Sequence, residues 1–269
     1  MTEQERGEPT VHSLFDLRGK AALVTGASGY LGGAMARALA EAGATVVVGS
    51  RCGERAEQVA ASLPVPVAQR HYGVQLDQLD EASLSSGFAR AVEQTGGLDV
   101  LVNNGHHPAV SDWTDVTGRE FTEQLSNATA YFLLARHLYR HAVSRGVPAS
   151  IIMLGSMYGM VGSYPAAYAG IGPASPVAYH ALKGGIIHMT RHLAVYWAAD
   201  RVRVNALSPG PFPAPTVPAE LVQRLEARSP MGRMGLPWEL KGAVVFLASD
   251  ASSYMTGQNL VIDGGWTAW

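Results

Sequence analysis

A doubly wound α/β domain, with a parallel sheet covered by helices on both faces, is the fold this sequence predicts, on three observations. Short β-branched runs alternate with longer Ala/Leu-rich stretches along most of the chain, and that alternation is the mark of parallel strands joined by helical crossovers. The first run ends in a glycine-bearing turn that opens directly into an Ala-rich stretch. The length of 269 residues, with 47% hydrophobic and 16% charged, suits one large core, because single cores stop growing near roughly 250–300 residues.

Taken in order, AALVTG (21–26) reads as a strand, Gly32 to Ala42 as a helix and TVVVGS (45–50) as the second strand. Ala56 to Leu63 has a helical pattern, Gln69 to Leu76 is a third strand, Glu81 to Gln94 a helix, and LDVLVNN (98–104) a fourth strand. A helix over Phe121 to Val143 leads to a strand at SIIML (150–154), a helix from Tyr179 to Trp197 and a strand at RVNALS (203–208). Residues 209–235, rich in Pro and Gly, form a mobile loop with a short helix; Trp238 to Leu247 is helical and NLVID (259–263) is the last strand. There is no internal repeat and no sign of a second domain, so residues 15–269 are assigned to the domain and 1–14 to a flexible N-terminal arm.

Charge narrows the function. Twenty basic and 22 acidic residues give a net charge of −2 without a long run of either sign, so neither nucleic acid nor an anionic membrane is an expected partner. A small molecule is. Met1 to Thr10 is polar and lacks the apolar stretch of a secretory signal, and no later stretch is apolar enough to span a bilayer. Cys52 is the only cysteine, which excludes an internal disulfide and a thiolate metal cluster and fits a cytoplasmic location.

In the turn Thr25-Gly26-Ala27-Ser28-Gly29-Tyr30-Leu31-Gly32, glycines permit tight curvature, and the helix N-terminus turns free N–H groups and positive dipole toward a pyrophosphate. Gly26, Ser28, Gly29, Tyr30 and Leu31 are therefore candidate cofactor residues; the plainer reading is an ordinary tight turn. After the second strand stands Gly49-Ser50-Arg51, with no carboxylate for ribose hydroxyls. A guanidinium there can pair with a 2′-phosphate, with Ser50 as a further donor, which favours NADP and leaves NAD possible. Otherwise Arg51 is a solvated loop residue. Leu76 and Asp77 follow the third strand, where Asp77 can accept from an adenine amino group or cap the helix starting near Glu81.

Tyr179-His180-Ala181-Leu182-Lys183 puts a phenol and an ammonium on one helix face. An ammonium at about 4 Å from a phenol contributes roughly 4 kcal/mol at an effective dielectric of ~20, enough to lower a pKa near ~10 by about 3 units. A phenol poised near working pH is what proton transfer to a carbonyl oxygen requires.

Together these motifs resemble the short-chain dehydrogenase/reductase family in its single-domain, Rossmann-type form, and the resemblance runs from about Phe15 to the C-terminus. It also rests on Asn103-Asn104-Gly105, Asn127, Gly155-Ser156, Arg203-Val204-Asn205, Ser208-Pro209-Gly210 and the closing Gly257 through Asp263-Gly264-Gly265. The resemblance implies a catalytic set of Asn127, Ser156, Tyr179 and Lys183: Tyr179 as general acid/base, Ser156 bonded to the reacting oxygen, Lys183 acidifying Tyr179 and holding the nicotinamide ribose, and Asn127 anchoring a water that links Lys183 to solvent. It adds Asn104, Gly105, Pro209, Gly210 and Phe212 to the cofactor residues, and it implies a homotetramer, or failing that a dimer. Members of sugar-acid, glycan and natural-product pathways are the nearest in pattern, which favours a sugar- or cyclitol-like substrate; a ketone or 3-oxoacyl-thioester reductase, or outside the enzymes a silent nucleotide-binding scaffold or redox sensor, are the alternatives.

Three departures from the family pattern stand out: Tyr30 in place of a glycine, His106-His107 after Gly105, and a long segment from Met157 to Ala178 expected to overhang the active site. His137/His141 and His188/His192 have the spacing of helical metal ligands but lack a third group, so no metal is expected. The Trp266/Trp269 end is expected in a subunit contact, with an aromatic lectin-like patch as the alternative.

Overall fold

The structure, a computed structural model, describes residues 8–108, 111–172 and 175–268. Its elements are α1 (Val11–Leu14), β1 (Ala21–Thr25), α2 (Tyr30–Glu41), β2 (Thr45–Ser50), α3 (Gly53–Ala61), β3 (Tyr72–Gln75), α4 (Glu81–Thr95) and β4 (Val100–Asn103). After them come α5 (Gly118–Arg145), β5 (Ala149–Leu154), α6 (Pro165–Tyr168), α7 (Val177–Trp197), β6 (Val202–Pro209), α8 (Ala219–Glu226), α9 (Lys241–Ala248) and β7 (Asn259–Ile262). The seven strands form one parallel sheet in the order β3-β2-β1-β4-β5-β6-β7. This is the Rossmann-type, single-domain α/β architecture expected.

Strand side chains alternate between the two faces, so each strand feeds two cores. Leu23, Val47, Ile151 and Met153 pack on the side of α4, α5 and α7. Their neighbours Ala22, Val24, Val46, Val48, Ile152 and Leu154 pack on the side of α2, α3 and α9. Both faces being covered, the strands read as continuous apolar runs instead of an apolar/polar alternation.

Boundaries differ from expectation where side chains take over backbone groups. β3 begins at Tyr72 and not at Gln69, since the His71 ring accepts from the Val46 N–H (3.0 Å) and Gln69 turns its amide to the Ala40 carbonyl (3.3 Å). α2 starts at Tyr30, two residues before the expected Gly32. The stretch from Trp238 opens as a 3-10 turn at Pro237–Leu240 before α9 proper. Within the expected arm, Val11–Leu14 forms a helical turn capped by Thr10, whose hydroxyl accepts from the Ser13 N–H, and residues 1–7 lie outside the described residues. No helix among the described residues is long and apolar enough to cross a membrane.

Candidate active site

β1 and β4 are neighbours, yet the chain leaves β1 toward β2 on one side and β4 toward β5 on the other. The crossover helices diverge at that point and leave a crevice beyond the strand C-termini. A cleft of about 540 Å³ opens there. Its floor is the turn after β1. Gly26 has φ +64°, and a Cβ on it would stand 2.8 Å from Gly105 Cα. Asn104 locks the turn by donating its amide to the Thr25 carbonyl (3.0 Å) and the Gly26 carbonyl (3.3 Å), while the N–H groups of Asn104 and Gly105 donate to the Thr25 hydroxyl (3.0 and 2.8 Å). The N-cap of α2 is Gly29, with no side chain to satisfy the first-turn N–H groups. An uncapped helix end lining a cleft fits the phosphates of a dinucleotide, because N–H groups and dipole both favour an anion there.

Backbone also approaches closely at Gly32, where a Cβ would lie 2.3 Å from the Gly26 carbonyl oxygen and 2.5 Å from Asn104 Nδ2. We expect Gly32→Ala to cost about 1–3 kcal/mol of stability and to weaken nucleotide binding together with it, since the turn itself must move. Thermal unfolding with and without NADP checks this; an unchanged melting temperature would show that the turn has slack.

At the far end of the cleft, Ser28 and Ser50 hydroxyls lie 3.2 Å apart and Arg51 is exposed beside them. Arg55 joins them, donating to the Ser28 carbonyl at 3.1 Å from the first turn of α3. The sequence reading missed Arg55, although a second guanidinium four residues after Arg51, in the helix that follows β2, was the available signal. Leu76 and Asp77 line the same end. Asp77 does not cap α4: its carboxylate accepts from the Leu79 N–H (3.0 Å), and the cap is Asp80, which accepts from Ala82 and Ser83. Gln78, also unforeseen, lines the cleft with its carbonyl oxygen buried and unpartnered.

Tyr30, Leu31, Pro209, Gly210 and Phe212 complete the lining, so every cofactor residue expected from the sequence borders this one cleft. Beside the strand ends, Ser156, Tyr179 and Lys183 converge. Ser156 follows β5 and its hydroxyl bonds to Tyr179, which favours the phenolate. Lys183, one turn after Tyr179 on α7, is buried and donates to the Leu154 carbonyl at 2.7 Å.

The electrostatics correct one expectation. Burial pushes the Tyr179 phenol up, outweighing the Ser156 hydrogen bond, and it pulls Lys183 down to about 7. The ammonium was expected to dominate the phenol. Instead Nζ lies 5.6 Å from the centre of the Tyr179 ring, anchored to a backbone carbonyl, and itself loses charge near neutrality. Desolvation overrides the pairwise attraction.

Asn127 does not line the cleft. Its carboxamide accepts from the His107 N–H (2.8 Å) and donates to the carbonyls of His107 (3.1 Å) and Gln124 (2.8 Å). The carboxamide thus ties the His107 backbone to α5 through one amide hydrogen and its oxygen, and its other amide hydrogen is spent on the helix's own Gln124 carbonyl. His106 and His107 line the cleft, and the His106 ring stands edge-on to Tyr179, with centres 5.4 Å apart.

The sequence model of a family described as enoyl-(acyl carrier protein) reductase matches residues 26–267. Cis-4-hydroxycyclohexanecarboxylate dehydrogenase of Sinomonas cyclohexanicum is 37% identical over 261 residues, covering 93% of this chain and 97% of the relative. A short-chain type dehydrogenase/reductase from Mycobacterium marinum has the same fold with a TM-score of 0.86 and 34% identity, over 97% of this chain and 100% of that one. The chain is a short-chain dehydrogenase/reductase. It is also similar to a gluconate 5-dehydrogenase from Burkholderia cenocepacia J2315 in complex with NADP and tartrate, with a TM-score of 0.87 and 28% identity over 97% of this chain and 100% of that one. As a family member it is an oxidoreductase acting between CH–OH and C=O with a nicotinamide cofactor.

In this short-chain dehydrogenase/reductase residues 157–172 are held in place by packing. It carries a 3-10 turn at Met157–Gly159 and helix α6, and the Tyr158 and Tyr168 hydroxyls share a 2.8 Å hydrogen bond. Arg224 of α8 ties it down by donating to the Ala169 carbonyl at 2.6 Å. Met157, Tyr158, Ala167, Leu225, Met234 and Trp266 form an apolar cluster against which Tyr179 packs. Trp266 is therefore not a subunit contact: it is 2% exposed within its own chain and lies against Tyr164. Trp269 lies outside the described residues. Of the paired histidines, His137 stacks on Phe88 and meets the Ser85 hydroxyl, while His141 accepts from the Leu98 N–H at 3.2 Å. Among the described residues no three His, Cys, Asp or Glu side chains are grouped to hold a metal.

Proposed function

We propose that this enzyme is an NADP-dependent dehydrogenase of a small, polar, hydroxylated ring or sugar-like alcohol. The observation that carries the reading is the convergence of Ser156, Tyr179 and Lys183 on one end of a cleft whose other end presents an uncapped helix and two guanidinium groups. Bound there, the nicotinamide supplies the hydride acceptor, or in reverse the donor. The protein's part is the proton. Ser156 holds the reacting oxygen and Tyr179 exchanges a proton with it, as acid in reduction and base in oxidation. Lys183, one helical turn from Tyr179 and lining the same cleft, would take part in that exchange and would hold the ribose hydroxyls of the bound cofactor. Asn127 positions the 106–107 segment beside them. A screen of cyclic alcohols, sugar alcohols and 3-oxoacyl thioesters, followed by nicotinamide absorbance, tests the reading; turnover confined to the thioesters would replace it.

Arg51 and Arg55 support NADP over NAD, since a charge-assisted hydrogen bond contributes roughly 1.5–3 kcal/mol, about tenfold to a hundredfold in affinity. Because two guanidinium groups share the site, Arg51→Ala is expected to weaken the preference and Arg51→Ala/Arg55→Ala to abolish it. Arg51→Asp is expected to reverse it, a carboxylate repelling the 2′-phosphate while accepting from free ribose hydroxyls. Kinetics with both cofactors decide the matter. Preference for NAD in the wild type would remove the argument. We further propose a homotetramer working in the cytoplasm. Exposed Val195, Tyr196 and Tyr254 offer apolar surface for assembly, and light scattering after gel filtration measures it.

A further inference from the structure

We infer that His106 is a specificity-determining residue that hydrogen-bonds a second, uncharged oxygen of the substrate, on the carbon beside the reacting one or the next, and so selects substrates with two neighbouring oxygens, cyclic diols among them. This rests on the reading of Tyr179 as the acid/base. His106 lines the cleft on a partly buried ring set against the Tyr179 ring, so a molecule whose reacting oxygen meets Tyr179 passes alongside the imidazole. Its other side is fixed. Gln124 of α5, 1% exposed, places its side-chain amide nitrogen 3.2 Å from His106 Nε2, and Asn127 holds the next residue's backbone from the same helix face. An amide nitrogen donates, so Nε2 accepts and Nδ1 carries the hydrogen. Nδ1 has no hydrogen-bond partner among the described residues.

The ring also stays neutral. Burial, with Lys183 nearby, holds it down to about 3, far below working pH. A neutral imidazole has no ionic attraction for a carboxylate or phosphate; it matches a hydroxyl or carbonyl. Tyr179 itself packs against an apolar cluster that includes Met157, Tyr158 and Trp266. A neutral polar handle next to the reacting phenol suits a substrate with two neighbouring oxygens, a cyclic diol among them.

The test compares kcat/KM for cyclohexane diols, with adjacent or alternate hydroxyls, against cyclohexanol, using NADP. The wild type is expected to favour a diol about fivefold to tenfold, the size of one neutral hydrogen bond, and His106→Leu to lose that preference while turnover of cyclohexanol changes little. His106→Asn, which keeps a donor, is expected to recover part of it and guards against a folding defect in the leucine variant. A readout independent of turnover is calorimetric binding of the diol to NADP-loaded Tyr179→Phe, expected to weaken by the same factor when His106→Leu is added. No diol preference in the wild type, or the same preference in His106→Leu, overturns the assignment. Those results leave the acid/base reading standing if Tyr179→Phe is inactive; an active Tyr179→Phe would instead remove the reading on which both rest.

Discussion

Tyr179→Phe is expected to lower kcat a hundredfold to ten-thousandfold, the usual contribution of a positioned proton donor, while NADP binds as before. Only the hydroxyl is removed. The phenyl ring still packs against the cluster of Met157, Tyr158 and Trp266, so the fold should hold. Tyr164→Phe and Tyr168→Phe are the controls. Tyr168 gives up a hydrogen bond to the Tyr158 hydroxyl, and Tyr164 serves through its ring against Trp266, so each is expected to keep kcat within a few-fold of the wild type. The pH profile carries a second signature. Since burial raises the Tyr179 phenol, the free enzyme holds the acid form through neutrality, and kcat/KM for alcohol oxidation should climb with pH above it. Stopped assays of all three variants across pH give the answer. A silent Tyr179→Phe alongside an inactive Tyr168→Phe would move the chemistry to the other phenol.

Lys183→Met is expected to abolish turnover yet raise stability at neutral pH. Folding takes the lysine from 10.5 down to about 7, so between those values the unfolded chain holds more proton than the folded one. Stability therefore rises with pH across that window, and the penalty is fully present below about pH 7 and gone near 10.5. Its size is on the order of 4 kcal/mol at pH 7. Methionine removes it but leaves the Leu154 carbonyl without a donor, at a cost of about 1–3 kcal/mol, so the net gain is roughly 1–3 kcal/mol. For a chain of this size that is about 3–9 °C in Tm. The two Tm curves should cross as the pH rises from 7 toward 10.5, the methionine variant becoming the less stable once the lysine is neutral in both states and only its lost hydrogen bond to Leu154 counts. A variant less stable than the wild type at pH 6 would show that the lysine is held favourably in its charged form. Tuned groups at active sites commonly trade stability for activity in this way.

The order of strands and helices could be read from the chain because each is a local pattern, apolar runs separated by glycine-bearing turns, and parallel connectivity follows from the alternation. Most of the cleft was legible for the same reason. Gly26, Ser28, Arg51, Tyr179 and Lys183 sit at strand ends or one helical turn apart, so sequence spacing already brings them near one another. Other facts depend on how distant segments meet. Arg55 and Gln78 enter the cleft because β1, β2 and β3 lie side by side, and Trp266 is buried because residues of α8 and of 157–168 pack on it. Charge behaved likewise. Spacing placed an ammonium beside a phenol, but whether attraction or desolvation governs the pair depends on burial, and burial comes from elements remote in sequence: β5 supplies the Leu154 carbonyl and α5 the Tyr131 ring beside Lys183. Local spacing fixes which groups can meet, whereas the dielectric around them is a property of the packed whole.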